Sequence, residues 1–171
     1  MLWPAPPNPL ELARKAGLVP EKKESFDHHV HAHLDVFVDG RPVVVPAGLG
    51  INITDPGVRS GGTGLGKSYG GISGCGQPCI SPLHTHDASG IVHTESASAT
   101  PNTLGELFTE WGLTLSAQCV STHCGGVKAY VNGKEAAGDP GAIELLDHEE
   151  IAVVVGTPPS SIPSKGDFSQ A

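Results

Sequence analysis

The chain has 171 residues, enough for one domain with a core, but its 23 glycines and 15 prolines approach a quarter of the length and aromatic residues are only 5%. Much of it must therefore be loop. A formal charge of −8 argues against nucleic acid or an anionic membrane as partner, and no apolar run approaches the length of a membrane span.

The opening Met1-Leu2-Trp3-Pro4-Ala5-Pro6-Pro7 has neither the basic nor the apolar region of a signal peptide. Residues 9–16 read as a short helix with Asn8 as N-cap, Pro9 as its first residue and Gly17 as its stop. With the solvated Lys22-Lys23-Glu24 they make residues 1–27 an N-terminal extension. The domain proper is expected over residues 28–156, and residues 157–171, rich in Pro and Ser, form a tail.

From His29 to Val38 the period is two: Val30, Ala32, Leu34, Val36 and Val38 fall on one face, and His29, His31, His33 and Asp35 on the other. Asp39-Gly40 is a hairpin turn and residues 41–46 the return strand. Residues 47–82 form a long Gly-rich insertion without strands of its own, read as a wall or lid leading into the next histidine cluster. Within it Gly61-Gly62-Thr63-Gly64-Leu65-Gly66-Lys67-Ser68 matches a phosphate loop formally, but it neither follows a buried strand nor opens a helix. Asn52-Ile53-Thr54 is a glycosylation acceptor by pattern only.

Leu83-His84-Thr85-His86-Asp87-Ala88-Ser89-Gly90-Ile91-Val92-His93-Thr94-Glu95 carries the strongest signal. With Asp87–Gly90 as a four-residue turn, antiparallel pairing sets His84 opposite His93 and His86 opposite Ile91. Three rings then share a face, within reach of one ion at a metal–nitrogen distance of about 2.0–2.1 Å. His31, His33, His84, His86 and His93 are the candidate ligands, while the pattern leaves His28, His29, His123 and His148 open. Asp87 and Glu95 are candidates for a fourth ligand, for a partner that fixes an imidazole tautomer, or for a general base beside a metal-bound water.

Thr103 and Glu106 have capping-box spacing ahead of the stripe Leu104, Leu107, Phe108 and Trp111, and Gly112 ends that helix. Residues 113–116 read as a short strand. Val127–Val131 runs into an Asn132-Gly133 turn, and the continuous apolar run 151–155 reads as a central strand covered on both sides. The cysteines fall into two close pairs, Cys75 with Cys79 and Cys119 with Cys124. Their spacings suit two local disulfides better than a zinc knuckle, although three connectivities remain open, and disulfides imply an oxidising, extracytoplasmic compartment. An exported protein would then need a leader lying outside this sequence.

The fold class expected is α+β: a β-grasp-like mixed sheet with one packed helix, the long Gly-rich insertion and extended termini. Tyr130-Val131-Asn132-Gly133-Lys134 followed by Leu146-Asp147-His148-Glu149-Glu150-Ile151-Ala152-Val153-Val154 resembles the closing half of the small β-grasp sulfur carriers. The chain ends Phe168-Ser169-Gln170-Ala171 instead of Gly-Gly, so that resemblance does not extend to their chemistry. Separately, the segments His31–Gly40 and Leu83–Gly90, with Asn132-Gly133, resemble a group of bacterial, apparently exported His-rich proteins with no assigned activity.

Met1 is the only methionine, which disfavours a thioether Cu(I) site, and imidazoles beside a carboxylate suit Zn²⁺ or Cu²⁺. The reading that follows is an extracytoplasmic protein that binds one of these ions. A metal-dependent hydrolase, lyase or copper oxidoreductase using the same histidines is an alternative, and a disulfide-stabilised interaction domain with incidental histidines another.

Overall fold

Alternation over residues 29–38 builds the longest strand of the computed structural model, which describes residues 1–169 and 171. In β1 (His28–Val38), Ala32, Leu34, Val36 and Val38 are buried in the main core while His29, His31, His33 and Asp35 stand on the opposite face. Asp39 and Gly40 take φ of 47° and 76°, as a two-residue type I′ turn requires, and lead into β2 (Arg41–Val43). This return strand is shorter than expected, because Val44 leaves β1 and bridges Leu2 of the N-terminal segment.

Residues 47–82 are not strandless. They contain a small hairpin of β3 (Arg59–Gly61) and β4 (Ser68–Gly70) and a satellite core of Ile51, Ile72, Cys75, Cys79 and Ile80, closed by the Cys75–Cys79 disulfide. β5 (Leu83–His84) and β6 (Ile91–Ser96) follow. α1 (Pro9–Lys15) packs on α2 (Leu104–Glu110), whose Thr103–Glu106 capping box forms as expected. At α1, by contrast, Asn8 makes no side-chain cap and instead reaches Glu11.

The Cys119–Cys124 disulfide ties β7 (Cys119–Val120) to β8 (His123–Cys124), and the strand expected over residues 113–116 shrinks to a single bridge between Leu115 and Val120. β9 (Val127–Val131) turns at Asn132-Gly133 into β10 (Lys134–Ala136). β11 (Glu150–Val155) is buried along its whole length.

The fold is α+β with a mixed sheet in the order β10-β9-β11-β1-β6-β5. β1 and β11 run side by side and parallel at its middle, and β2 and β6 share the other edge of β1. Leu104, Leu107 and Phe108 of α2 join Leu34, Val36, Ile151 and Val153 in one apolar core, which leaves the other sheet face to the odd-numbered residues of β1.

Gly50 fixes the approach of the insertion to β5. Its φ is +70°, and a Cβ there would collide with the Leu83 carbonyl and lie 3.2 Å from the His84 Cβ. Gly50→Ala is expected to lower the unfolding free energy by about 1–3 kcal/mol in urea titrations. Gly66→Ala, where an added Cβ meets no heavy atom within 4 Å, should stay within about 0.5 kcal/mol of the parent.

Candidate metal centre

Register places the imidazoles. β1 and β6 pair His31 with His93 and His29 with Glu95, and β5 and β6 pair His84 with His93. Directly opposed residues share a sheet face, so His31, His93 and His84 form one row across three strands with Glu95 beside it. Ring centroids along the row are 4.6 Å apart for His31 and His93 and 5.5 Å for His84 and His93.

His86 arrives differently from expectation. β5 ends at His84, so the His86–Ile91 pairing does not form and residues 85–90 make a wider loop. The cause is the insertion: His86 Nδ1 lies 2.6 Å from the Tyr69 carbonyl, which draws the ring over the row, 4.4 Å from His93 and 4.8 Å from His84. The Gly-rich segment thus forms a wall of the site, and Gly70 leaves room for that ring, since a Cβ there would come within 3.3 Å of His86 Nδ1. The phosphate-loop-like stretch is an exposed hairpin with a single 3-10 turn.

Backbone carbonyls set two of the tautomers. His84 Nδ1 donates to Ser81 O at 2.9 Å as His86 Nδ1 donates to Tyr69 O, so both Nε2 lone pairs face inward. His84 Nε2 is 3.8 Å from Glu95 Oε2, and Oε1 of the same carboxylate is 3.9 Å from His86 Nε2 and 3.5 Å from His93 Nδ1. One donor atom from each of His84, His86, His93 and Glu95 lies within 4.8 Å of the others. A tetrahedral ion with bonds of about 2.0–2.1 Å separates its donors by about 3.3 Å, so the Glu95 contacts would close by about 0.2–0.6 Å and the widest donor pair by up to about 1.5 Å on binding. His84 Nε2, His93 Nδ1 and Glu95 Oε2 are buried and have no hydrogen-bond partner. Leaving such atoms unpaired is costly, and one cation would satisfy all of them.

The electrostatics suit a cation. Burial pushes His84 down to about 3 and lowers His93; His31 falls to about 4 through burial and the neighbouring rings of His93 and His29. Burial would raise Glu95, but the His86 and His93 imidazoles outweigh it and hold the carboxyl well below its usual range. His86 is the exception: burial opposes its charge, yet Glu95 and the Tyr69 carbonyl raise it. These directions favour the proton on His86 over His84, His93 and His31. Metal binding near pH 6.5 is expected to release protons, from His86 foremost, since an imidazole must be neutral to ligate. Calorimetric titration in buffers of different ionisation enthalpy checks this, and His86→Ala should weaken the buffer dependence.

The other sequence candidates lie elsewhere. His33 does not join the row: its Nδ1 is 2.7 Å from Glu150 Oε2 and its Nε2 2.9 Å from Ser89 O. The parallel β1–β11 register sets Glu150 directly beside it, and tail residues Gly166 and Phe168 cover the pair. Asp87 accepts from Ser89 N–H at 2.9 Å and so shapes the loop instead of facing the donors. His123 stacks on Trp3, and the exposed His148 pairs with Asp147. His29 does reach the centre, 3.2 Å from Glu95 Oε1. Glu24, expected in a solvated linker, is drawn in by a hydrogen bond from its amide to Ile72 O and ends 3.7 Å from His86 Nε2. No local pattern marks it. No protein-family model, curated protein or solved structure matches the chain.

Proposed function

We propose that the chain is an extracytoplasmic metal-binding protein that holds Zn²⁺ or Cu²⁺ through His84, His86, His93 and Glu95. The observation that carries this reading is the convergence of His86 with the buried, unpartnered donor atoms of His84, His93 and Glu95, the tautomers of His84 and His86 being already set by backbone carbonyls. Binding without turnover is favoured because the nearby groove of about 490 Å³ shares only Glu24 with the centre and is otherwise lined by Phe26, Arg59, Gly71 and their neighbours. His84 itself is fully buried. The Cys75–Cys79 and Cys119–Cys124 disulfides support an oxidising compartment outside the cytoplasm. No helix is long and apolar enough to cross a membrane among the described residues.

The test is elemental analysis of protein purified without a His tag or chelator. The expected result is about one equivalent or more of zinc or copper per chain after dialysis. Less than about a tenth of an equivalent, with none taken up on adding Zn²⁺ or Cu²⁺, would favour incidental histidines instead.

A further inference from the structure

The donors on this sheet face outnumber what one ion can use. Five imidazoles, from His29, His31, His84, His86 and His93, surround the single carboxylate of Glu95. A four-coordinate ion at His84, His86, His93 and Glu95 leaves His29 and His31 over. These two are not idle surface rings. Their centroids lie 4.4 Å apart, His31 lies 4.6 Å from His93, and His31 Nε2 is buried without a hydrogen-bond partner. Donor atoms of His29, His31 and His93 again fall within 4.8 Å of one another. Glu95 Oε1 ties the two groups together, at 3.2 Å from His29 Nε2 and 3.5 Å from His93 Nδ1.

We propose that His29, His31 and His93 hold a second divalent transition-metal ion next to the first, so that the sheet face carries a metal pair linked through Glu95 and through His93, which bridges by its two ring nitrogens as an imidazolate after its N–H proton leaves to solvent. This rests on the reading of the first site given above. The backbone is built for it: His31 N–H donates to Asp147 Oδ1, and His31 O accepts from His148 N–H, which anchors the end of β1 that carries both rings.

The two positions differ in access. His84 lies at the closed end of the row and is fully buried, whereas the His29 side chain is 34% exposed beside Phe26, itself 61% exposed. The inner ion is kept and the outer ion exchanges, an arrangement that suits uptake and hand-over of metal. With His29 and His31 as its only unshared donors, the outer position is expected to bind about 100-fold more weakly than the inner.

Stepwise titration with Zn²⁺ against a chromophoric chelator tests the pair. The parent should take up two equivalents in two resolved steps. His29→Ala/His31→Ala should take up one, with the tighter step unchanged. His29→Ala alone, at a partly exposed ring, should retain the fold and weaken only the second step. A single equivalent in the parent, or two in the double variant, would overturn the second site and leave the first intact; no uptake at all would overturn both.

Cu²⁺ supplies a readout that needs no variant, because two ions linked through one ligand couple their spins. The integrated EPR signal at two equivalents should fall below that of two isolated spins. The full signal of two independent ions would contradict the shared ligand.

Discussion

His86→Ala is expected to weaken binding of the first Zn²⁺ about 10²–10³-fold, read by competition with a chromophoric chelator at pH 7.5. Structural zinc sites of four ligands are worth about 10–16 kcal/mol, so one ligand carries roughly 2.5–4 kcal/mol. His86 suits the test because its side chain is 22% exposed and reaches the centre from a loop, so truncation leaves the strand row in place. His33→Ala is the informative contrast. His33 belongs to the same run of alternating histidines, yet both its ring nitrogens are engaged away from the centre, by Glu150 and Ser89. Its loss should change zinc affinity less than about threefold while destabilising the fold, since Glu150 would be left buried beside no partner. Equal losses of affinity in the two variants would contradict the assignment of donors.

Metal-free protein is expected to lose about 3 kcal/mol of stability between pH 7.5 and pH 4 from His84 alone. The sign follows from the direction of its shift. Burial depresses the folded-state value to about 3, below the 6.5 of an accessible histidine, so the unfolded chain binds the proton that the folded chain refuses. The contribution is complete above pH 6.5 and is lost as pH falls toward 3. His31, lowered to about 4, acts in the same direction, and Glu95, held low by its imidazoles, adds a loss below its ordinary value of 4.5. His86 and His33 act oppositely. Their raised values give stability that is full below 6.5 and lost as pH rises through them, His33 because Glu150 is bonded to it and His86 because Glu95 and Tyr69 O outweigh burial. Urea titrations in excess chelator across this range measure the balance. The same pH dependence in the parent and in His84→Gln would rule out a buried, neutral His84 as its source.

What the sequence disclosed follows from how local each cause is. The alternation of β1, the Thr103–Glu106 capping box and the two Asn-Gly or Asp-Gly turns depend on neighbours a few residues away, and all appear in the fold. The His84–His93 pairing was legible for the same reason, because a short antiparallel connection ties partners by position. The fate of His33 was not, since Glu150 reaches it through a parallel pairing between the first and last strands of the sheet. Nor was the departure of His86 from the hairpin, which needs the Tyr69 carbonyl, or the arrival of Glu24, which needs Ile72. Both depend on the satellite core of the Gly-rich insertion, whose few scattered isoleucines have no period to read.

X-ray absorption at the zinc edge, on protein loaded with one equivalent, tests the central claim most directly. The account predicts a four-coordinate shell at about 2.0–2.1 Å with the multiple scattering of three imidazoles and one carboxylate oxygen. A six-coordinate shell of oxygen alone, without imidazole scattering, would contradict it.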